Sequence, residues 1–314
     1  MNIFKKLLCT VLVLNILFIS SYGAFIDMPY DETERNALNN AVLNGLLNGV
    51  SENEIAPYAP ITRSQMGAIL VRAMGAKREA DISKFIDVSP KAWYYKEMSR
   101  AVAMGAFQGD GDVNLYPDKS ITYQEAFLVL SRIFDLRYVD YSIYEKYPDK
   151  DSVASWAKEG VVKVVSGGYY HRDKLNPTSP INRVEFAKIM EKLVVNYIDT
   201  PGTYTDLPDG NTLIRCDNVI LDSIVNSKAR SATEGNLFII GDSVTSTSVV
   251  NADGINLVVR GGNVKLNGKM GIVRTTNPGT SLSVVSGEYS GKVYPDGSKG
   301  IIAASAEGSY INLE

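Results

Sequence analysis

The chain has 314 residues, with 32 Lys and Arg against 35 Asp and Glu, a formal net charge of −3, one histidine and two cysteines. No basic block follows the first few residues, which argues against nucleic acid and anionic membranes as partners. Cysteines at positions 9 and 216 alone cannot build a disulfide framework or a metal site of recognisable spacing, and the length suits two or more modest cores.

Residues 1–6 carry Lys5 and Lys6, residues 7–20 are almost wholly apolar and uncharged, and Ser21-Tyr22-Gly23 supplies a small-x-small pattern. That layout predicts a cleaved export signal over residues 1–24, because the apolar run falls short of the ~20 residues that span a bilayer. Removing the two lysines changes the balance to 30 − 35 = −5. Cys9 lacks the small preceding residues of a lipoprotein signal, and Cys216 reads as a small buried hydrophobe. No later segment is long and apolar enough to span, so the mature chain is expected to be secreted.

An internal repeat at sixty residues follows. Pro57–Arg63, Pro117–Tyr123 and Pro177–Arg183 align without gaps, sharing Pro and then Ile-Thr or Ile-Asn (Ile61-Thr62, Ile121-Thr122, Ile181-Asn182). Each is followed by the same apolar spacing: Met66, Ile69, Leu70, Ala73 and Met74; Ala126, Val129, Leu130, Ile133 and Phe134; Phe186, Ile189, Met190, Leu193 and Val194. These positions form one face of a helix. Thr62 with Gln65, Thr122 with Glu125 and Asn182 with Glu185 read as N-cap and N3 partners. Upstream, a second helix is predicted in each unit: Leu38, Ala41, Val42 and Gly45 correspond to Met98, Ala101, Val102 and Gly105, and then to Lys158, Val161, Val162 and Val165, so that the third unit is expected to lose the glycine. Each unit opens on an aromatic residue and an aspartate: Phe25-Ile26-Asp27, Phe85-Ile86-Asp87 and Tyr147-Pro148-Asp149. One such helix pair cannot bury its own stripe, whereas three packed together can.

The pattern of Phe85, Asp87, Val88, Trp93, Tyr94, Gly105, Gly109, Pro117, Ile121, Thr122 and Glu125 resembles the S-layer homology (SLH) repeat, and Ser155-Trp156-Ala157-Lys158-Glu159 carries a variant of it. The resemblance covers residues 25–197 as three copies, at 25–76, 85–137 and 144–197. It implies a three-pronged α-helical pseudo-trimer that anchors an exported protein to the cell wall by binding secondary cell-wall polysaccharide, often through a pyruvylated sugar held in grooves between prongs.

Within that expectation, Arg63 and Arg183 at N1 stand beside the partial positive charge of a helix start, a mildly unfavourable place for a cation. An anionic ligand would offset this; so would an internal ion pair to Asp27, Asp87 or Asp149. The expected binding residues are Asp27, Arg63, Asp87, Trp93, Asp149 and Arg183, forming one or two competent grooves, because Tyr123 replaces the arginine of the second unit. Unit 1 has Thr33 where Trp93 stands, leaving Tyr30 as the only substitute. For Trp93 and Trp156 the competing reading is core, since an aromatic in a small helical domain is core more often than sugar platform.

After a linker at 198–210 the composition shifts to Gly, Asn, Asp, Ser, Thr, Val and Ile. Strands are predicted at 212–216, 219–225, 237–240, 244–250, 255–260, 264–266, 271–275, 282–285, 300–304 and 310–313, with turns at Asp209-Gly210, Asp253-Gly254, Asn267-Gly268 and Asp296-Gly297. The expected fold is thus multidomain α + β, with an all-β domain at 211–314. The stretches 218–221, 236–239 and 256–259 recur at eighteen and twenty residues, which favours a small parallel β-helix over a β-sandwich. No recurrent pair of carboxylates among Asp217, Asp222, Asp242 and Asp253 suggests glycosidic chemistry, and His171 has no nucleophilic partner. Asp110, Asp112 and Asn114 begin like a calcium loop, but Leu115 and Ile121 fall where glycine and glutamate are needed. No enzyme activity, cofactor or metal is therefore expected; an anchored carbohydrate-active enzyme and a surface-layer or adhesion component that self-associates through its β domain are the alternatives.

Overall fold

The computed structural model describes residues 25–109, 111, 113–224, 236–275, 281–286, 292–295, 301–304 and 312–313. The expected export signal at 1–24, Asp110 and Asp112 of the failed calcium loop, the strand ends at Val225, Gly300 and Tyr310, and the turn Asp296-Gly297 lie outside them.

The helical part comprises α1 (Glu32–Leu43), α2 (Arg63–Met74), α3 (Tyr95–Ala103), α4 (Tyr123–Ile133), the single turn α5 (Tyr141–Tyr144), α6 (Lys158–Ser166) and α7 (Arg183–Leu193). The apolar stripes read from the repeat are buried in all of α2, α4 and α7, from Met66 and Leu70 through Leu130 and Phe134 to Met190 and Leu193. Thr62 with Gln65 and Thr122 with Glu125 form full capping boxes. Asn182 accepts from the Glu185 amide, but no bond returns to it, because the Glu185 carboxylate turns to Arg172 and Lys188.

The three units close into a ring. Ile61 N–H donates to Ile181 O, Ile181 N–H to Ile121 O, and Ile121 N–H to Ile61 O, at 2.9–3.0 Å. The first two amides of each long helix are taken by the loop of a neighbouring unit: Arg63 and Ser64 by Lys119 O and Pro117 O, Tyr123 and Gln124 by Ser179 O and Pro177 O, Arg183 and Val184 by Ala59 O and Pro57 O. Between units, α1 packs on α7, α3 on α2 and α6 on α4.

One register differs from the expectation. The buried residue Met98 and the left-handed Gly105 of unit 2 are matched in unit 3 by Val161 and Gly168, three residues beyond the gapless alignment, and Lys158 is an exposed helix start. The glycine that stops the first helix is therefore retained; the extra residues near Tyr147 displace it.

Beyond α7, the described residues form eleven strands in chain order: β1 (Asn196–Ile198), β2 (Gly202–Tyr204), β3 (Thr212–Ile214), β4 (Val219–Asp222), β5 (Leu237–Ile240), β6 (Ser246–Val259), β7 (Asn263–Thr275), β8 (Ser281–Ser286), β9 (Lys292–Pro295), β10 (Ile301–Ala304) and β11 (Asn312–Leu313). Every ladder between them is parallel. β2 falls inside the stretch expected as a linker and pairs with β4. The eighteen-residue recurrence does not set the first register: Val219 pairs with Thr247, and it is Leu213 that pairs with Ile239. Side chains alternate along the row β3–β5–β6, as a strand requires. Leu213, Ile239 and Val258 join the helical core, whereas Ile214, Phe238, Ile240, Leu257 and Val259 form a second core within the β region.

Candidate functional site

The three aspartates do the same thing in each unit. Asp27 accepts from the amides of Ile55 (2.9 Å) and Ala56 (2.7 Å). Asp87 accepts from Leu115 (3.0 Å) and Tyr116 (2.7 Å), and Asp149 from Leu175 (2.9 Å) and Asn176 (2.8 Å). Ala56, Tyr116 and Asn176 lie at φ +50°, +53° and +49°, where a side chain is strained. The carboxylate holds each loop in that conformation.

The loop so held then takes an arginine from another unit. Arg183 Nε donates to Ile55 O at 2.6 Å and its Nη2 to Asn48 O at 2.6 Å; Arg63 Nε donates to Leu115 O at 2.9 Å. Both guanidinium groups have their pKa lowered by burial, an effect opposed by Asp27 for Arg183 and by Glu125 and Asp87 for Arg63. Arginine stays charged in such places. The direct ion pair to an aspartate weighed from the sequence is replaced by a relay, from carboxylate to loop amide and from loop carbonyl to guanidinium. Since the first helix amides are already bonded, any anion here must be met by the guanidinium and not by the helix start.

The three seams differ in charge. Arg183 lines a groove of ≈ 390 Å³ with Asn48, Val50, Gln65, Arg72 and Trp93, so that all three units contribute. Two arginines line it and, among the described residues, no carboxylate does, although Glu97 and Asp27 lie close enough to favour the charged forms of Arg72 and Arg183 respectively. Arg183 Nη1 has no hydrogen-bond partner among them either. In the Arg63 seam, Glu125 stands where Gln65 stands in the first, with Oε1 4.0 Å from Arg63 Nη1, and the guanidinium lies 4.6 Å from the Phe107 ring centroid. In the third seam Tyr123 packs edge-on against Phe127 and Tyr170, and burial pushes its phenol up to about 12. There Arg172, from the loop of unit 3, is bound by Glu185.

Trp93 is 64 % exposed and Trp156 55 %, so neither is core. Both immediately precede the N-cap of their helix, as the fully exposed Tyr30 does in unit 1, although α1 begins one turn earlier relative to its buried Leu38. Sequence reasoning passed over Gln65, Arg72 and Arg172. The Gln65/Glu125/Glu185 difference was legible in the repeat alignment, whereas Arg72 and Arg172 enter their seams only through the packing of neighbouring units. Among the described residues no group of three or more His, Cys, Asp or Glu could hold a metal ion, and no helix is long and apolar enough to cross a membrane.

Comparison with known proteins bears on this geometry. The S-layer homology domain family model matches residues 84–127, which span the second unit from Lys84 into α4. The surface-layer 125 kDa protein of Lysinibacillus sphaericus is 28 % identical over 173 residues, 53 % of this chain and 14 % of that protein. The cell surface protein of Thermoanaerobacter kivui is 21 % identical over 251 residues, 75 % of this chain and 31 % of that protein. Exoglucanase XynX of Acetivibrio thermocellus is 26 % identical over 155 residues, 48 % of this chain and 14 % of the enzyme. The chain thus spans a small part of each of these relatives. Residues 84–127 carry the match to the S-layer homology domain, and the proteins to which the chain is similar include surface-layer and cell surface proteins.

Proposed function

We propose that this chain is a non-enzymatic anchor that holds an exported protein to the cell wall by binding an anionic secondary cell-wall polysaccharide, with the Arg183 seam as its principal site. Its S-layer homology domain and its surface-protein relatives place it at the cell surface. One observation carries the reading: a buried arginine with a spare N–H, a second arginine and an exposed tryptophan line one groove in which, among the described residues, no carboxylate takes part. A carboxylate-bearing sugar, such as a pyruvylated residue, matches that charge, and a tryptophan face beside it suits the apolar face of a pyranose. Asp27 sets the loop that presents the groove, Asp87 and Asp149 set the equivalent loops of the other seams, and Arg63 takes in the second seam the place that Arg183 has in the first. Tyr123 leaves its own seam without a motif arginine.

The same reading takes residues 1–24 as the export signal, 25–76, 85–137 and 144–197 as three S-layer homology repeats around one axis, and the region from 211 as a small parallel β-helix. Acidic residues of the β region that a glycosidase would need are engaged structurally. Asp217 accepts from the Thr245 and Ser246 amides, Asp222 from Asn251 and Ser223, and Asp242 pairs with Arg260.

The test is retention of the mature chain on native wall sacculi and on sacculi stripped of secondary polysaccharide by acid. Retention on native sacculi alone is the expected result. Equal retention on both, or none on either, would overturn the proposal.

A further inference from the structure

The ring has a second end, formed by the C-termini of its helices. There the last carbonyls lack intrahelical partners and carry a partial negative charge. The β region meets them helix by helix. Arg215 Nη1 donates to Asn44 O, the C-cap of α1, at 2.8 Å. The Asp242 amide donates to Met74 O, at the end of α2, at 2.7 Å. Arg260 spans both helices of unit 2, with Nη2 3.4 Å from Met104 O and Nη1 3.1 Å from Ile133 O. Asn211 Nδ2 donates to Leu193 O, at the end of α7, at 3.0 Å.

A buried ion pair completes the contact. Arg274 Nε lies 2.5 Å from Asp135 Oδ2, and its Nη2 donates to Asp135 O at 3.1 Å. Asp135 follows α4 with φ +50°, close to the conformation of Gly75 after α2 (φ +64°). An aspartate is accepted in this left-handed position with its carboxylate held by Arg274 and Arg137. Arg260 and Arg274 are both almost wholly buried, and burying a guanidinium is unfavourable unless acceptors surround it. The helix ends supply those acceptors and receive donors in return. The fit is close on both sides: a Cβ on Gly75 would lie 2.3 Å from Ser243 Oγ, and one on Gly241 2.9 Å from Met74 O.

We infer that the carbonyl end of the ring is a docking surface for a cationic partner, that this partner is the β region of the same chain, and that the two fold as one cooperative body. Arg215, Arg260 and Arg274 are its clamps. The β region is then part of the anchor's own frame, whatever the seams bind.

Two native probes test this in the full chain carrying Cys9→Ser. Both tryptophans lie in the ring, so their emission reports on it alone. Cys216, half-buried, is then the remaining cysteine, so its labelling reports on the β region. Burial, with Asp199 and Asp217, raises its thiol pKa, and labelling is therefore run at alkaline pH. In a denaturant titration the emission and labelling midpoints should coincide. Asp135→Asn, in the ring, should lower the Cys216 labelling midpoint, and Arg260→Met, in the β region, should lower the tryptophan midpoint, with both probes moving together in each variant. Should Arg260→Met not fold, Arg260→Lys, which keeps the charge but cannot span two carbonyls, gives the same reading. Separate transitions in the parent chain, or variants that move only the probe on their own side, would overturn the inference.

Discussion

Arg183 has two of its nitrogens bound to loop carbonyls and lines a groove, while Trp93, in the same groove, is largely exposed. Their substitutions should therefore separate. Arg183→Gln removes a buried cation together with the donors for Ile55 O and Asn48 O, and should cost about 1–3 kcal/mol of stability as well as wall retention. Trp93→Ala should leave stability within about 0.5 kcal/mol yet weaken retention about tenfold, the equivalent of about 1.4 kcal/mol. Retention unchanged in Trp93→Ala would remove the tryptophan from the site. The aspartates behave differently. Each frees two loop amides when it is lost, so Asp27→Ala, Asp87→Ala and Asp149→Ala should all destabilise by about 1–3 kcal/mol. Of the three, Asp149→Ala should leave retention on sacculi least changed, because the loop that Asp149 holds faces Tyr123 and not a motif arginine. Thermal melts set beside sacculus pull-downs read both quantities.

The capping boxes of α2 and α4 differ by a single functional group, Gln65 against Glu125, and that difference has two consequences. Burial raises the Glu125 pKa, but the Thr122 backbone and hydroxyl and the Lys119 ammonium outweigh it, so the carboxyl titrates below its ordinary range. A depressed carboxylate stabilises the fold at pH above its unfolded value, near ~4.3, and that contribution disappears as pH falls through the folded value. Glu125→Gln keeps a reciprocal box of the kind Gln65 makes. It should be less stable than the parent at neutral pH, by about 1 kcal/mol or less, with the gap closing below ~pH 4. A gap that persists unchanged in acid would show that the cap carries no charge-dependent term. The same substitution takes the carboxylate from beside Arg63, so that seam comes to resemble the Arg183 seam, and wall retention should rise. The sequence marked this site only in part: residue types at N-cap, N1 and N3 were legible because helix starts have local chemistry. Which loop each arginine reaches was not, since Arg63 binds Leu115 O and Arg183 binds Ile55 O across unit boundaries. In the same way, a gapless alignment hid the three-residue shift that places Gly168, and not Val165, opposite Gly105.

At the scale of the whole molecule, the helical half was readable from period and caps because three copies repeated the same local rules. The β half was readable as short strands whose recurrence favoured a parallel β-helix over a β-sandwich. Its contact with the ring was not, since nothing local distinguishes Leu213 or Ile239, which enter the helical core, from Ile214 or Ile240, which do not. That alternation has an energetic consequence. Leu213, Leu237, Ile239 and Val258 are each no more than 3 % exposed within the helical core cluster. Burying a side chain of this kind is worth about 1.5–3 kcal/mol, so four of them contribute about as much as the 5–15 kcal/mol net stability of a typical domain, even allowing that such sums are upper estimates. A chain ended after Tyr197 would lose all four and would uncover the carbonyls at the ends of α1, α2, α3, α4 and α7. It should keep its far-ultraviolet helical signal while losing near-ultraviolet signal and binding a hydrophobic dye, the behaviour of a compact state without fixed packing. A chain ended after Thr275 keeps β1–β7, including Arg260 and Arg274, and should melt cooperatively. If the shorter chain proves as cooperative and as stable as the longer one, the ring is self-sufficient and its contact with the β region is incidental to folding.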